Sequence, residues 1–365
     1  MTLPLSLETE PPTLVRHPDL WFTDGSVVLQ AESMLFRVHM SQLSRRSVIF
    51  HDMFSLPQPE VVTTHATRAP ETYDGCPLLL LYDTSDDLAN LLIAIYDGPT
   101  FGKNDYEDFA VVSGILRLST KYVMDSLRSK ALEHLSEAWP ATLPGWDARE
   151  DRARSYEYEC PTDNSYLYPS PIAVINLARE INAPALFISA FYDLSRYTYA
   201  QIFELSDDAS ARFRPASLPT GPRLPPAMLA LSTGDMQRLA LGKEAASLAV
   251  NAVIHGMGRG PHAHARKGSF SLYPHAAAPP NAAVCTTPGA CRRDFAELVA
   301  LATQHYVCDR ERGCADPLYV AEELGALKSA ELSECRACAR ALEVWAAKER
   351  ERMWKMIPLW FRLDS

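Results

Sequence analysis

The run PLLLLYDTSDDLANLLIAIYDGP, residues 77–99, constrains the fold more than any other stretch of this chain. Its first part is a short continuous apolar run, and it predicts a strand buried on both faces. Its second part predicts a helix, with Ser85 or Asp86 as cap and Leu88, Leu91, Leu92, Ile95 and Tyr96 at helical spacing. Asp97-Gly98-Pro99 supplies the stop. A strand that feeds at once into an amphipathic helix needs both a sheet and a helical layer to bury its apolar residues.

The flanking sequence supplies both. Upstream, Ser26 to Gln30 and Met34 to His39 read as two β-prone runs joined by Ala31-Glu32-Ser33, a hairpin signature. Met34, Phe36 and Val38 alternate with Leu35, Arg37 and His39, so His39 falls where strand gives way to helix. SQLSRRSVIFHDMF then predicts two short helical pieces, with Ser47 as a cap and Val48, Phe50, Met53 and Phe54 as the apolar side. Downstream, Phe109, Val112 and Leu116 mark one further helix, and Met124, Leu127, Ala131 and Leu135 the next. A small sheet capped by helices is an α+β arrangement.

In this order, DLWFTDGSVVLQ, LFRVHMSQLSRRSVIFHDMF, LLLLYDTSDDLANLLIAIYDG and LRLSTKYVMDSLRSKALEHL resemble a BTB/POZ domain of the kind abundant in fungi, over roughly residues 17–139. Asp24 matches the family's aspartate before the first strand, His39 its histidine, and Ser47 with Phe50 its serine-then-aromatic pair; Met40 departs from the usual basic residue. The resemblance implies that Asp24 and His39 hold strands and helices together. It also implies a homo- or heterodimer, and protein partners that include a cullin-type ubiquitin ligase scaffold or transcriptional co-regulators. Trp21 and Phe22, with Leu14, Val15 and Leu20, form an apolar cluster suited to packing against a second copy.

The remaining boundaries follow from composition. Residues 1–18 read as a tail, 19–139 as the BTB-like domain, 140–170 as a linker or insertion, and 171–255 as a helical region in which Pro184 opens a helix. Residues 256–284 read as a loop rich in His, Gly, Pro and Ala, and 285–365 as a Cys-containing helical region. In the loop, His262 and His264 have metal-ligand spacing but no neighbouring acid or thiol. The closing helix is predicted to end at Pro358, with Trp345, Trp354, Trp360 and Phe361 as its packing face.

Six of the eight cysteines lie from Cys285 onward. The N-terminus lacks the positive charge of a secretory signal and no apolar run approaches bilayer length, so the chain is expected to be intracellular, with no membrane partner. In a reducing compartment such cysteines serve as buried thiols or metal ligands. Cys335 and Cys338 form a CRAC pair on one helix face, and with Cys285 and Cys291 they make the preferred set for a closed structural zinc site; Cys308 and Cys314 are the alternative second pair. A net charge of −10 leaves no general basic surface for nucleic acid. No GxSxG, HExxH, P-loop or dinucleotide fingerprint occurs. Without a catalytic motif, the BTB resemblance implies a non-enzymatic protein–protein interaction and dimerisation module, an adaptor bringing a partner to a cullin-type ubiquitin ligase; the alternatives are a transcriptional co-regulator scaffold and a metal-dependent hydrolase built on the C-terminal cysteines.

Overall fold

The computed structural model describes residues 13–56, 72–159, 167–199, 202, 230–257, 285, 287–308, 314–327 and 335–363. Loop residues His262 and His264 lie outside them. The chain divides into two compact units, the first holding the described residues up to Ala138 together with 167–169 and 180–182, the second the rest.

In the first unit the strands are β1 (Val15–Trp21), β2 (Val27–Ala31), β3 (Met34–Val38), β4 (Thr72–Tyr73) and β5 (Cys76–Leu81), in the sheet order β1-β3-β2-β5-β4. The hairpin β2–β3 is antiparallel, with Leu29 opposite Phe36, and β5 lies parallel to β2, with Leu79 beside Leu29. Helices α1 (Met40–Arg46), α2 (Val48–Ser55), α3 (Ser85–Tyr96), α4 (Tyr106–Lys121) and α5 (Asp125–Ala138) complete the unit. The result is an N-terminal mixed sheet capped by helices, followed by a largely helical C-terminal region, an α+β topology.

The period-two pattern of the hairpin decides which face meets the helices. Val27, Leu29, Ala31, Phe36 and Val38 are buried with Leu43, Phe50, Leu88, Leu91 and Leu92 in one core. On the opposite face Val28, Leu35 and Cys76 are packed, among the described residues, by Trp21, Tyr73 and Leu78. That asymmetry corrects the reading of β5 as buried on both faces: Leu80 is 48% exposed, on a face that among the described residues is packed by strand side chains and not by a helix. The cap of α3 is Thr84, whose hydroxyl accepts from Asp87 N–H, rather than Ser85 or Asp86. Strand β1 starts at Val15, inside the stretch read as a tail; as an edge strand it tolerates Pro18, which has no N–H to donate.

Ser47 caps α2 as its position predicts. Its Oγ accepts from Phe50 N–H at 3.0 Å and donates to the Tyr122 carbonyl at 2.6 Å, so one buried hydroxyl joins α2 to the end of α4. Ser47→Ala removes a cap and strands a buried carbonyl, and should cost about 1–3 kcal/mol in denaturant unfolding. A change within about 0.5 kcal/mol would assign Ser47 no more than a surface residue's weight.

The second unit contains α6 (Leu143–Glu159), α7 (Pro171–Glu180, all but its last residue), a 3-10 turn (Pro184–Leu186), α8 (Phe187–Ser195), α9 (Thr233–Met257), α10 (Pro288–Ala302), a π-helical turn (Thr303–Cys308), α11 (Pro317–Ala326) and α12 (Arg336–Trp360). Long helix α12 packs along α11, α9 and α8. Gly242 in α9 makes room for Phe361, since a Cβ there would lie 1.9 Å from the ring. Trp354 and Phe361 are buried, while Trp345 and Trp360 are half-buried. Pro358 does not end α12, which continues to Trp360. Helix α6 falls where a linker or insertion is expected, and the polar character of its buried face explains the difference. Trp146 and Arg149 are buried there, and Arg149 bonds Asp193 at 2.9 Å and Glu150 at 2.6 Å.

Candidate metal centre

Two helix starts bring four cysteines together. Cys335 is the N-cap residue of α12, and Cys338 lies three residues on, its N–H donating to the Cys335 carbonyl at 3.1 Å. Cys291 lies in the first turn of α10, which Pro288 opens, and its N–H donates to the Thr287 carbonyl at 3.1 Å. Cys285 precedes that helix on non-helical chain. The four Sγ atoms all lie within 4.8 Å of one another, and the Cys285 and Cys291 sulfurs are 3.6 Å apart. Cys291, Cys335 and Cys338 are buried and Cys285 is half-buried.

This set fits a structural zinc ion. Four sulfurs at zinc–thiolate bond length would stand about 3.8 Å from each other, so the separations here need only a small contraction. Four thiolates are a soft donor set that selects zinc or iron over magnesium and calcium. Both helix starts present the positive ends of their dipoles, which favours thiolate over thiol. Burial and hydrogen bonds among the thiols act the other way without a metal: burial pushes the Cys285 thiol up, and it pushes Cys338 well above the ordinary thiol range. Burial thus opposes deprotonation at Cys285 and Cys338, and a bound cation acts against it by displacing the protons.

The preferred set of four is thus the one that comes together. Cys308 is exposed and Cys314 half-buried, and neither belongs to the cluster. The signal in the sequence was the tight CRAC pair, since residues three apart share a helix face.

The residues singled out in the first unit form a separate group. The His39 Nδ1 lies 2.9 Å from the Tyr96 hydroxyl, to which the His39 N–H also donates at 3.0 Å, and its Nε2 lies 3.3 Å from Asp24 Oδ2. The hydrogen bond from His39 holds the exposed Asp24 carboxyl below its usual range. Phe22 packs on both His39 and Tyr96, so the chain Asp24–His39–Tyr96 closes the seam between β3 and α3. Trp21 lies edge-on to Tyr73 beneath Arg16, on the other face of the sheet. Phe50 stacks on Tyr122 in the core.

Sequence reasoning missed one group, the ion-paired centre of the second unit. Arg149 and Arg196 converge there on Asp193, while Arg196 also meets Glu150 at 2.7 Å and Asp316 at 3.2 Å. Tyr192 donates to Asp316 and accepts from Leu318 N–H. Trp146 lies under both guanidinium groups.

Among the described residues no helix is long and apolar enough to cross a membrane. Neither models of known protein families nor curated proteins match the chain.

Proposed function

We propose that this chain is a non-catalytic interaction protein whose C-terminal helical unit is stapled by a structural zinc ion. The observation that carries the zinc assignment is the convergence of Cys285, Cys291, Cys335 and Cys338 from two helix starts separated by more than forty residues. Four thiolates fill a tetrahedron and leave no position for a reactive water, which a zinc hydrolase requires. The cluster therefore supports the closed-site reading over the hydrolase alternative. Elemental analysis of the purified chain should find about one zinc per molecule. Metal-free protein, or metal retained after Cys335→Ser with Cys338→Ser, would defeat the assignment.

The interaction half of the proposal rests on the BTB-like order of the first unit and on apolar side chains left outside its core. Leu14 and Val15 on and beside β1 are exposed, and so are Val48 and Ile49 at the start of α2. Scattered exposed apolar residues are ordinary, so self-association is the discriminating property. Sedimentation of the whole chain at tens of micromolar, roughly above weak dissociation constants, should show a dimer. A monomer at that concentration removes homodimerisation and leaves partners of another kind. A co-regulator or a cullin-type scaffold would each fit such a partner surface, and affinity capture with identification of the retained proteins separates them.

A further inference from the structure

The geometry points to the Cys285–Cys291 pair as an oxidative modification site through which a peroxide releases the metal and opens the staple; this rests on the zinc reading above. The four ligands are not equivalent. Cys338, Cys335 and Cys291 are 6%, 6% and 0% exposed and sit on or cap helices, whereas Cys285 is half-buried and lies on non-helical chain ahead of α10. A solute reaches Cys285 first. Its sulfur is 3.6 Å from that of Cys291, and a disulfide needs about 2.05 Å. The shortfall of roughly 1.5 Å is within reach of one residue outside a helix. Cys291 is thus the resolving thiol, close enough to capture an oxidised Cys285 without displacing α10.

The chemistry balances with a peroxide as oxidant. The Cys285 thiolate attacks the peroxide oxygen, the O–O bond breaks, and the departing hydroxide takes a proton to become water, leaving a sulfenic acid. The Cys291 thiolate then attacks the Cys285 sulfur; the S–S bond forms, the S–O bond breaks, and a second hydroxide leaves as water. Two sulfurs together lose two electrons, the peroxide gains them, and zinc keeps its charge throughout. Disulfide sulfurs are poor ligands, so the ion retains only Cys335 and Cys338 and departs.

The test uses the full-length, zinc-loaded chain with hydrogen peroxide as probe, read by a chromogenic zinc chelator and by peptide mapping of disulfides and of sulfenic acid trapped with a dimedone-type reagent. One zinc released per Cys285–Cys291 disulfide, with trapping at Cys285, is the expected result. Cys285→Ser keeps three thiolates and should lose the peroxide-driven release. If that variant fails to hold zinc, the wild-type map still decides. First oxidation at Cys335 or Cys338, or zinc held firmly while peroxide is consumed, overturns the oxidation proposal alone. Protein purified without metal overturns the zinc reading and this proposal with it.

Discussion

Removing zinc from the four-cysteine centre should destabilise the C-terminal helical unit by on the order of several kcal/mol, while the unfolding of the sheet-containing unit stays where it was. Metal binding to a site absent from the unfolded chain contributes directly to folding, with apparent values of about 10–16 kcal/mol in small zinc-dependent folds. A unit with its own buried helical core loses less than that. Differential calorimetry with and without a strong chelator measures the effect, and Cys335→Ser with Cys338→Ser should reproduce it. Superimposable transitions in chelator would return the cysteines to ordinary core packing. The pH dependence has a definite sign. Burial raises the Cys285 and Cys338 thiols in the metal-free chain, so that form is favoured below the ordinary thiol pKa of about 8.5 and loses stability as pH rises through the raised values. The loaded form takes only thiolates, so zinc affinity should fall as pH falls.

Local rules carried the first unit far. The alternation of Met34, Phe36 and Val38, the helical spacing of Leu88, Leu91, Leu92 and Ile95, and the cap at Ser47 are each set within a few residues, and each appears in the structure. The exposure of Leu80 was not legible, because it depends on whether a second helical layer covers the outer sheet face, which no stretch of β5 encodes. Nor was Thr84 as the cap of α3, since Thr84, Ser85 and Asp86 are all competent caps and only backbone geometry separates them. The metal cluster was half legible. Cys335 and Cys338 share a helix face by spacing alone, but their meeting with Cys285 and Cys291 is a tertiary event. Helix α6 shows the limit most plainly, because apolar periodicity finds a helix only when its buried face is apolar. Here the face includes Arg149, and its partner Asp193 comes from a distant segment.

That ion-paired face also gives the most damaging single substitution. Asp193→Ala should cost the helical unit about 3–5 kcal/mol, because Arg149, whose side chain is only 3% exposed, would lose its buried carboxylate partner on α8 and keep the more exposed Glu150. Removing one member of a buried pair is far worse than replacing the pair, since desolvation of the survivor is no longer offset. Burial alone would raise the Asp193 carboxyl, yet Arg149 and Arg196 outweigh it and hold the pKa below the usual carboxylate range. A lowered carboxyl pKa contributes stability that is fully present above the unfolded value of about 3.9 and is lost as pH falls toward the folded value. The wild type should therefore lose stability on acidification below about pH 4, and Asp193→Ala should show a weaker acid dependence from a lower starting point. Arg149→Met with Asp193→Leu supplies the control: a paired apolar replacement should recover much of the loss, as buried ion pairs elsewhere do within about 1–4 kcal/mol. If the double replacement were as unstable as Asp193→Ala, the loss would belong to the hydrogen bonds among Arg196, Glu150, Asp316 and Tyr192 that Asp193 positions, rather than to the Arg149–Asp193 pair.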